Sequence, residues 1–156
     1  MIELNIPGWG KRQLEHLLLD LNGTLALDGA LLPEVDERLA HLSMRLRLHL
    51  ITADTFGTAN KVLGPIEHTL HLLGPGPQDQ QKMELARSLG PNHCAAMGNG
   101  RNDRLMLQES VLGIAILGPE GACAELFTTA DVISRDIKEA LDLLLNPLRL
   151  TATLRK

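Results

Sequence analysis

Leu17-Leu18-Leu19-Asp20-Leu21-Asn22-Gly23-Thr24 is the stretch on which the reading of this chain turns. Three consecutive leucines fit a strand buried on both faces, the kind found inside a parallel sheet. A carboxylate, Asp20, follows directly, and Gly23 gives the backbone room to turn sharply behind it. A carboxylate at the end of an apolar strand can attack phosphorus once a cation screens its charge. Thr24 can hydrogen-bond across the same turn and hold it.

Outward from this stretch, apolar runs alternate with helical patterns. Ile2 to Ile6 alternates and stops at Pro7-Gly8, which predicts a short strand. Residues 8–12 read as a turn and residues 14–21 as a second strand, its hairpin partner. Asp28-Gly29 between apolar pairs predicts a small hairpin within residues 24–32. Pro33 opens a helix to about Met44, with Val35, Leu39 and Leu42 on one face. A strand over residues 46–51 ends at Thr52, and Asp54 or Thr55 is placed to cap a helix reaching about Leu63. Further strands are expected at residues 66–73, 93–97, 113–117 and 132–133. Helices are expected at 78–89, 102–111 and 120–127, with a last one at 137–145. Strands separated by helices and joined by short loops predict an α/β fold, a mainly parallel sheet between two helical layers. Such a sheet binds ligands beyond the carboxyl ends of its strands. The polar residues at those ends are Asp20, Asn22, Thr52, Asn99, Asn102 and Asp103, with Lys82 near the start of the helix before the later strand.

Composition narrows the function classes. The chain has 156 residues, the size of one domain over 1–156, and 15 Lys plus Arg against 19 Asp plus Glu give a net charge of −4. That balance provides no footprint for nucleic acid and no polybasic membrane patch. One Trp, two Phe and no Tyr leave little for base stacking. No run reaches the ~18 apolar residues of a membrane helix, and the first residues lack the order of a signal peptide. Cys94 and Cys123 lack metal-ligand spacing and read as reduced thiols, so a cytoplasmic protein is expected. His68 and His71 would face opposite sides of a strand and read as structural or solvated.

The later segments supply chemistry matched to Asp20. Thr52 can donate its hydroxyl to a transferring phosphoryl oxygen, and Lys82 can bring a positive charge to the same oxygens or to the Asp20 carboxylate. Gly98-Asn99-Gly100-Arg101-Asn102-Asp103 gives a tight loop with a carboxylate suited to Mg²⁺, a hard ion that prefers oxygen.

DLNGT, a strand ending in Thr, then Lys, then GNGRND is similar, in order and spacing, to the four motifs of the haloacid dehalogenase (HAD) superfamily. Ile51-Thr52-Ala53-Asp54 and Gly98 to Asp103 resemble the phosphorylation domain of P-type ATPases, and residues 144–155 resemble their soluble, cap-less relatives. The resemblance implies a Rossmann-like fold without a cap, an aspartyl-phosphate on Asp20, phosphate binding by Thr52 and Lys82, and Mg²⁺ as cofactor. Asp20, the Asn22 carbonyl, Asn99 and Asp103 would be its metal site. Two residues depart from the pattern. Asn22 stands where phosphatases of the superfamily carry an acid, and an amide exchanges no proton near neutral pH. Asn99 stands where a second carboxylate usually binds the metal. The expectation is a slow Mg²⁺-dependent phosphohydrolase. Its open site leaves room for a large or protein-bound phosphate, or for a neighbouring copy as a lid. The alternative is a degenerate descendant that binds a phosphorylated ligand or a protein partner.

Overall fold

The computed structural model describes residues 1–53 and 59–156. The helix cap expected at Asp54 or Thr55 lies outside these residues; of the helix expected to reach Leu63 they contain α2 (Ala59–Val62). Six parallel strands form the central sheet, in the order β10-β9-β8-β3-β6-β7. At its centre β3 (His16–Asp20) lies between β6 (Arg47–Thr52) and β8 (Cys94–Gly98). β7 (Thr69–Leu72) is one edge; β9 (Leu112–Ile116) and β10 (Val132–Ser134) complete the other side. All five residues of β3 are buried, as a run of leucines between two neighbours requires.

Side chains alternate between two cores. Leu17, Leu19, Leu48, Leu50, Met97 and Ile114 pack beneath α1 (Val35–Ser43) and α5 (Ile137–Leu145). Leu18, Ile51, Ala96 and Ala115 face α3 (Gln78–Leu89) and α4 (Arg104–Glu109). The result is a three-layer α/β/α sandwich. Between β3 and α1 the chain makes only a two-stranded hairpin, β4 (Ala26–Leu27) with β5 (Ala30–Leu31), and among the described residues no cap covers the carboxyl ends of the strands. Among the described residues no helix is long and apolar enough to cross a membrane.

Several element boundaries differ from expectation. The partner of β1 (Ile2–Ile6) is β2 (Gly10–Leu14), not residues 14–21. A hairpin exposed on one face suits the alternating burial of β1, whereas His16–Asp20 is buried throughout and belongs inside a sheet. Glu34 takes a left-handed backbone (φ 63°), so α1 starts at Val35 and not at Pro33. The expected helix at 102–111 opens as a 3-10 turn over Arg101–Asp103 and ends at Glu109. The expected helix at 120–127 is a turn through Gly118 and Gly121 followed by a 3-10 turn, Ala124–Thr128. Gly121 at φ 80° leaves the helical region there. The chain also continues beyond α5 into α6 (Pro147–Leu154), which Pro147 initiates and whose Leu150 is buried. Residues 66–73 shorten to Thr69–Leu72, so His68 precedes the strand and bonds the Ile66 carbonyl.

His16, His49 and His71 form a row across β3, β6 and β7. His16 Nδ1 lies 2.9 Å from His49 Nε2, and His49 Nδ1 lies 3.0 Å from His71 Nε2. A neutral imidazole gives one N–H and accepts one, so the row is satisfied without charge. Burial holds all three below the ordinary imidazole range, and His71, His16 and Arg47 add to it at His49, which falls to about 4. The unfolded chain therefore takes up protons here before the folded one does. The row's contribution to stability is complete above about pH 6.5 and is lost as pH falls toward 4. Between pH 7.5 and 4.5 the wild type should lose about 2 kcal/mol more stability than His49→Leu. Urea unfolding of both proteins across that range measures it, and the carboxylates common to both cancel in the comparison.

Candidate active site

Where β3, β6 and β8 end, their polar residues meet. Lys82, one turn into α3, is 1% exposed, and its Nζ lies 2.6 Å from Asp20 Oδ1 and 2.6 Å from Asp103 Oδ1. Asp103, at the end of the 3-10 turn after β8, is fully buried, and its Oδ2 accepts the Gly100 N–H at 2.8 Å. Thr24 Oγ1 stands 3.2 Å from Asp20 Oδ2 and 3.2 Å from Asn99 Oδ1. Asn99 Nδ2 donates to the Gly121 carbonyl at 3.0 Å. Asn102 Nδ2 donates to Gln78 Oε1 at 2.9 Å, tying the loop to the start of α3.

The turn after Asp20 is tight. Gly23 N–H bonds the Ala26 carbonyl, and Leu25 and Ala26 N–H both reach the Leu21 carbonyl. Gly23 sits at φ 78°, and a Cβ there would lie 2.5 Å from Glu120 Oε2 and 2.8 Å from Asn99 Nδ2. Glycine is required by conformation and by space alike.

Asp20, Asn22, Thr52, Lys82 and Asn99 line one cleft of about 250 Å³, together with Ala53, Leu73, Gln78, Gly100, Asn102 and Glu120. Asp103 lies beneath it, joined through Lys82 and Gly100. All six residues singled out by the motifs therefore gather at one place. A larger cleft, about 660 Å³, opens at the amino ends of β6 and β7 between Arg45, Arg47, Glu67 and His68. It holds none of the motif residues, and converging buried charge rather than volume marks the site. Lys82, placed near a helix start by its spacing, is among the most deeply buried side chains, a depth its sequence position does not show. Glu120 and Gln78 were not legible as site residues. Glu120 had only the turn residues of Gly118-Pro119-Glu120-Gly121 to mark it.

Charge dominates the site. Burial pushes the Asp20 carboxyl up, to about 6, and Asp103 adds to this, while Lys82 and Thr24 pull the other way without cancelling it. Burial works against the Lys82 ammonium, but Asp103 and Asp20 outweigh it and hold the lysine charged. Two carboxylates thus share one cation, which leaves negative charge uncompensated at the mouth of the sheet. The donors here are carboxylate, amide and backbone carbonyl oxygens, the set that suits a hard divalent cation. Among the described residues no three His, Cys, Asp and Glu side chains surround a single point, so a cation would keep much of its water.

No family model matches the chain. It is 50% identical over 74 residues to the uncharacterized protein MJ0073 of Methanocaldococcus jannaschii, across 47% of this chain and 80% of that protein. It is 49% identical over 39 residues to MJ0072 of the same organism, across 25% of this chain and 89% of the other. The chain belongs to the family of MJ0073. Solved structures extend the likeness to nearly the whole length. The 3-deoxy-D-manno-octulosonate 8-phosphate phosphatase of Moraxella catarrhalis, in complex with magnesium, phosphate and KDO, superposes with a TM-score of 0.66 at 20% identity, over 89% of this chain and 90% of that one. The cobalt-bound deoxy-D-mannose-octulosonate 8-phosphate phosphatase of Haemophilus influenzae gives 0.66 at 12% identity, over 92% and 94%. A haloacid dehalogenase-like family hydrolase of Streptococcus pneumoniae gives 0.65 at 15%, over 83% and 97%. The fold is that of the HAD superfamily.

Replacing Lys82 tests the electrostatics without reference to any reaction. Removing one partner of a buried ion pair typically costs ~3–5 kcal/mol, because the remaining charges stay buried. Lys82→Met should be destabilised by about that amount at pH 7.5. Part of the loss should return at pH 5, where Asp20, already raised by burial and now lacking its lysine, takes up a proton. Urea midpoints at the two pH values read both effects.

Proposed function

We propose that the protein is a Mg²⁺-dependent phosphohydrolase that works through an aspartyl-phosphate on Asp20. The observation that carries this reading is the buried Asp20–Lys82–Asp103 cluster at the open end of the sheet, with Thr52 and Asn99 on the same cleft. The HAD fold and the metal-bound phosphatases that share it support the reading.

Asp20, Asp103 and the Asn22 carbonyl would hold the cation, with Asn99 beside them. When bound, it would screen Asp20 and the oxygens of the phosphoryl group. An Asp20 carboxylate oxygen attacks phosphorus as the bond to the ester oxygen breaks, and Thr52 and Lys82 steady the phosphoryl oxygens. Asn22 has no proton to give, so the leaving oxygen takes one from solvent. Water then attacks the acyl-phosphate phosphorus, releasing inorganic phosphate and restoring Asp20. Neither proton transfer is assisted, and turnover is slow. The cleft, about 250 Å³, would take a phosphoryl group and the atoms next to it, and the rest of a larger phosphate monoester would lie at its uncovered rim. That rim would accept a small phosphorylated molecule or the phosphate of a larger one, and a second copy could cover it. Free Cys94 and Cys123 suit a reducing compartment such as the cytoplasm. The likeness to P-type ATPases stands on the sequence motifs, whereas the matching solved structures include phosphatases.

One observation favours a second reading, a protein that binds phosphate without turning it over. The Asn99 amide is spent on Thr24 and Gly121 rather than offered to the cleft. Phosphate esters assayed with and without Mg²⁺ separate the two. Mg²⁺-dependent phosphate release that falls by at least about 10³-fold in Asp20→Asn supports hydrolysis. Saturable phosphate binding with no release would leave only the second.

Asn22→Asp should restore the missing acid. General acid–base assistance is typically worth ~10²–10⁴-fold, and it matters most for leaving groups that need a proton. Single-turnover rates should therefore rise more on an alkyl phosphate than on p-nitrophenyl phosphate. Equal gains on both would count against a proton-transfer role for this position.

A further inference from the structure

The turn that follows β9 reaches over the site. Gly118-Pro119-Glu120-Gly121 closes with the Gly121 N–H on the Gly118 carbonyl at 2.9 Å, with proline at the position whose fixed φ such a turn favours. Gly118 packs so closely on the loop after Asp20 that a Cβ there would lie 2.4 Å from the Gly23 carbonyl oxygen. Two bonds fasten the turn to the end of β8: Asn99 Nδ2 to the Gly121 carbonyl, and the Cys123 N–H to the Asn99 carbonyl at 2.9 Å. An aspartate at position 99 could not make the first of these, since a carboxylate only accepts.

So fastened, the turn places Glu120 on the same cleft as Asp20, Asn22 and Asn99. Its Oε2 and Asn99 Nδ2 crowd the same point, the empty Cβ position of Gly23. Glu120 makes no hydrogen bond or ion pair among the described residues. Its carboxylate is exposed on a cleft that also holds Asp20. Asp20, Asp103 and Glu120 against Lys82 alone leave two negative charges uncompensated, the charge of one divalent cation.

We infer that Glu120 is a positioning residue for the divalent cation and supplies, across the cation's water shell, the negative charge that Asn99 lacks. Asn99 exchanges a metal-binding carboxylate for a clamp, and the clamp carries a replacement carboxylate to the rim. This rests on the Mg²⁺-dependent reading above, and it assigns to Glu120 no step in the chemistry.

Calorimetric titration with Mg²⁺ alone tests it on the wild type, Glu120→Gln, Glu120→Asp and, as a control for net charge, Glu67→Gln at the far end of the sheet. Glu120→Gln should bind Mg²⁺ about tenfold more weakly, the effect of one charge on a divalent ion roughly 6 Å away in water. Glu120→Asp should fall between it and the wild type, and Glu67→Gln should match the wild type. The metal-free melting temperature of Glu120→Gln should stay within about 2 °C of the wild type, because an exposed, unpaired side chain holds nothing together. Equal Mg²⁺ affinity in Glu120→Gln and wild type overturns the inference and leaves the Asp20 reading intact. Equal weakening in Glu120→Gln and Glu67→Gln also overturns it. A wild type that binds no Mg²⁺ overturns both.

Discussion

The Lys82 ammonium, held between Asp20 and Asp103, fixes how the rest of the molecule is arranged. A charged group that is 1% exposed must be paired, and its two partners come from the end of β3 and from the turn after β8. Helix α3 supplies the lysine from across the sheet. Three elements far apart in sequence are thereby brought to one point, and any slip in strand register would leave a charge buried alone. Such triads contribute little net stability when intact and are costly to break. Their effect here is to make the correct arrangement of strand ends the tolerable one, and the charges that enforce it are those the proposed chemistry needs.

Around the triad a second, neutral network sets the shape of the cleft. Thr24 touches Asp20 and Asn99, and Asn99 reaches the Gly121 carbonyl. An amide can accept on one side and donate on the other, and this dual character lets one residue join the loop after β3 to the turn after β9. The departures at Asn22 and Asn99 thus differ in kind. Asn22 is exposed on the rim and offers an amide where an acid would transfer a proton. Asn99 is buried and takes on a structural task that a carboxylate could not perform.

The interior follows from a composition rich in leucine and poor in aromatics. Leucines from β3, β6, α1 and α5 fill one side of the sheet, while alanines, Met106 and Leu107 let α3 and α4 approach the other. On that second side the row of His16, His49 and His71 spans three strands near the β7 edge, polar but neutral, with each ring satisfied by the next. The sheet accommodates it because the imidazoles bond one another.

Much of this was written in the sequence. The leucine run before Asp20, the alternation of strand and helix patterns, Thr52 at a strand end and the GNGRND loop fix the fold class and place five of the six motif residues at carboxyl ends of strands or in the loops that follow them. They are legible because burial and backbone turning act over a few neighbouring residues. What depends on distant contacts was not legible. Residues 14–21 read as one strand, although Leu14 and His16 belong to different sheets. The burial of Lys82 is not visible until Asp20 and Asp103 are seen on either side of it. The histidine row, 55 positions from end to end, has no local pattern. Glu120 reads as the start of a helix until Asn99 and Gly23 are found holding its turn over the cleft. A sequence encodes periodicity and turn chemistry along the chain, whereas charge pairing, side-chain clamps and the approach of one loop to another exist only once the chain has closed on itself.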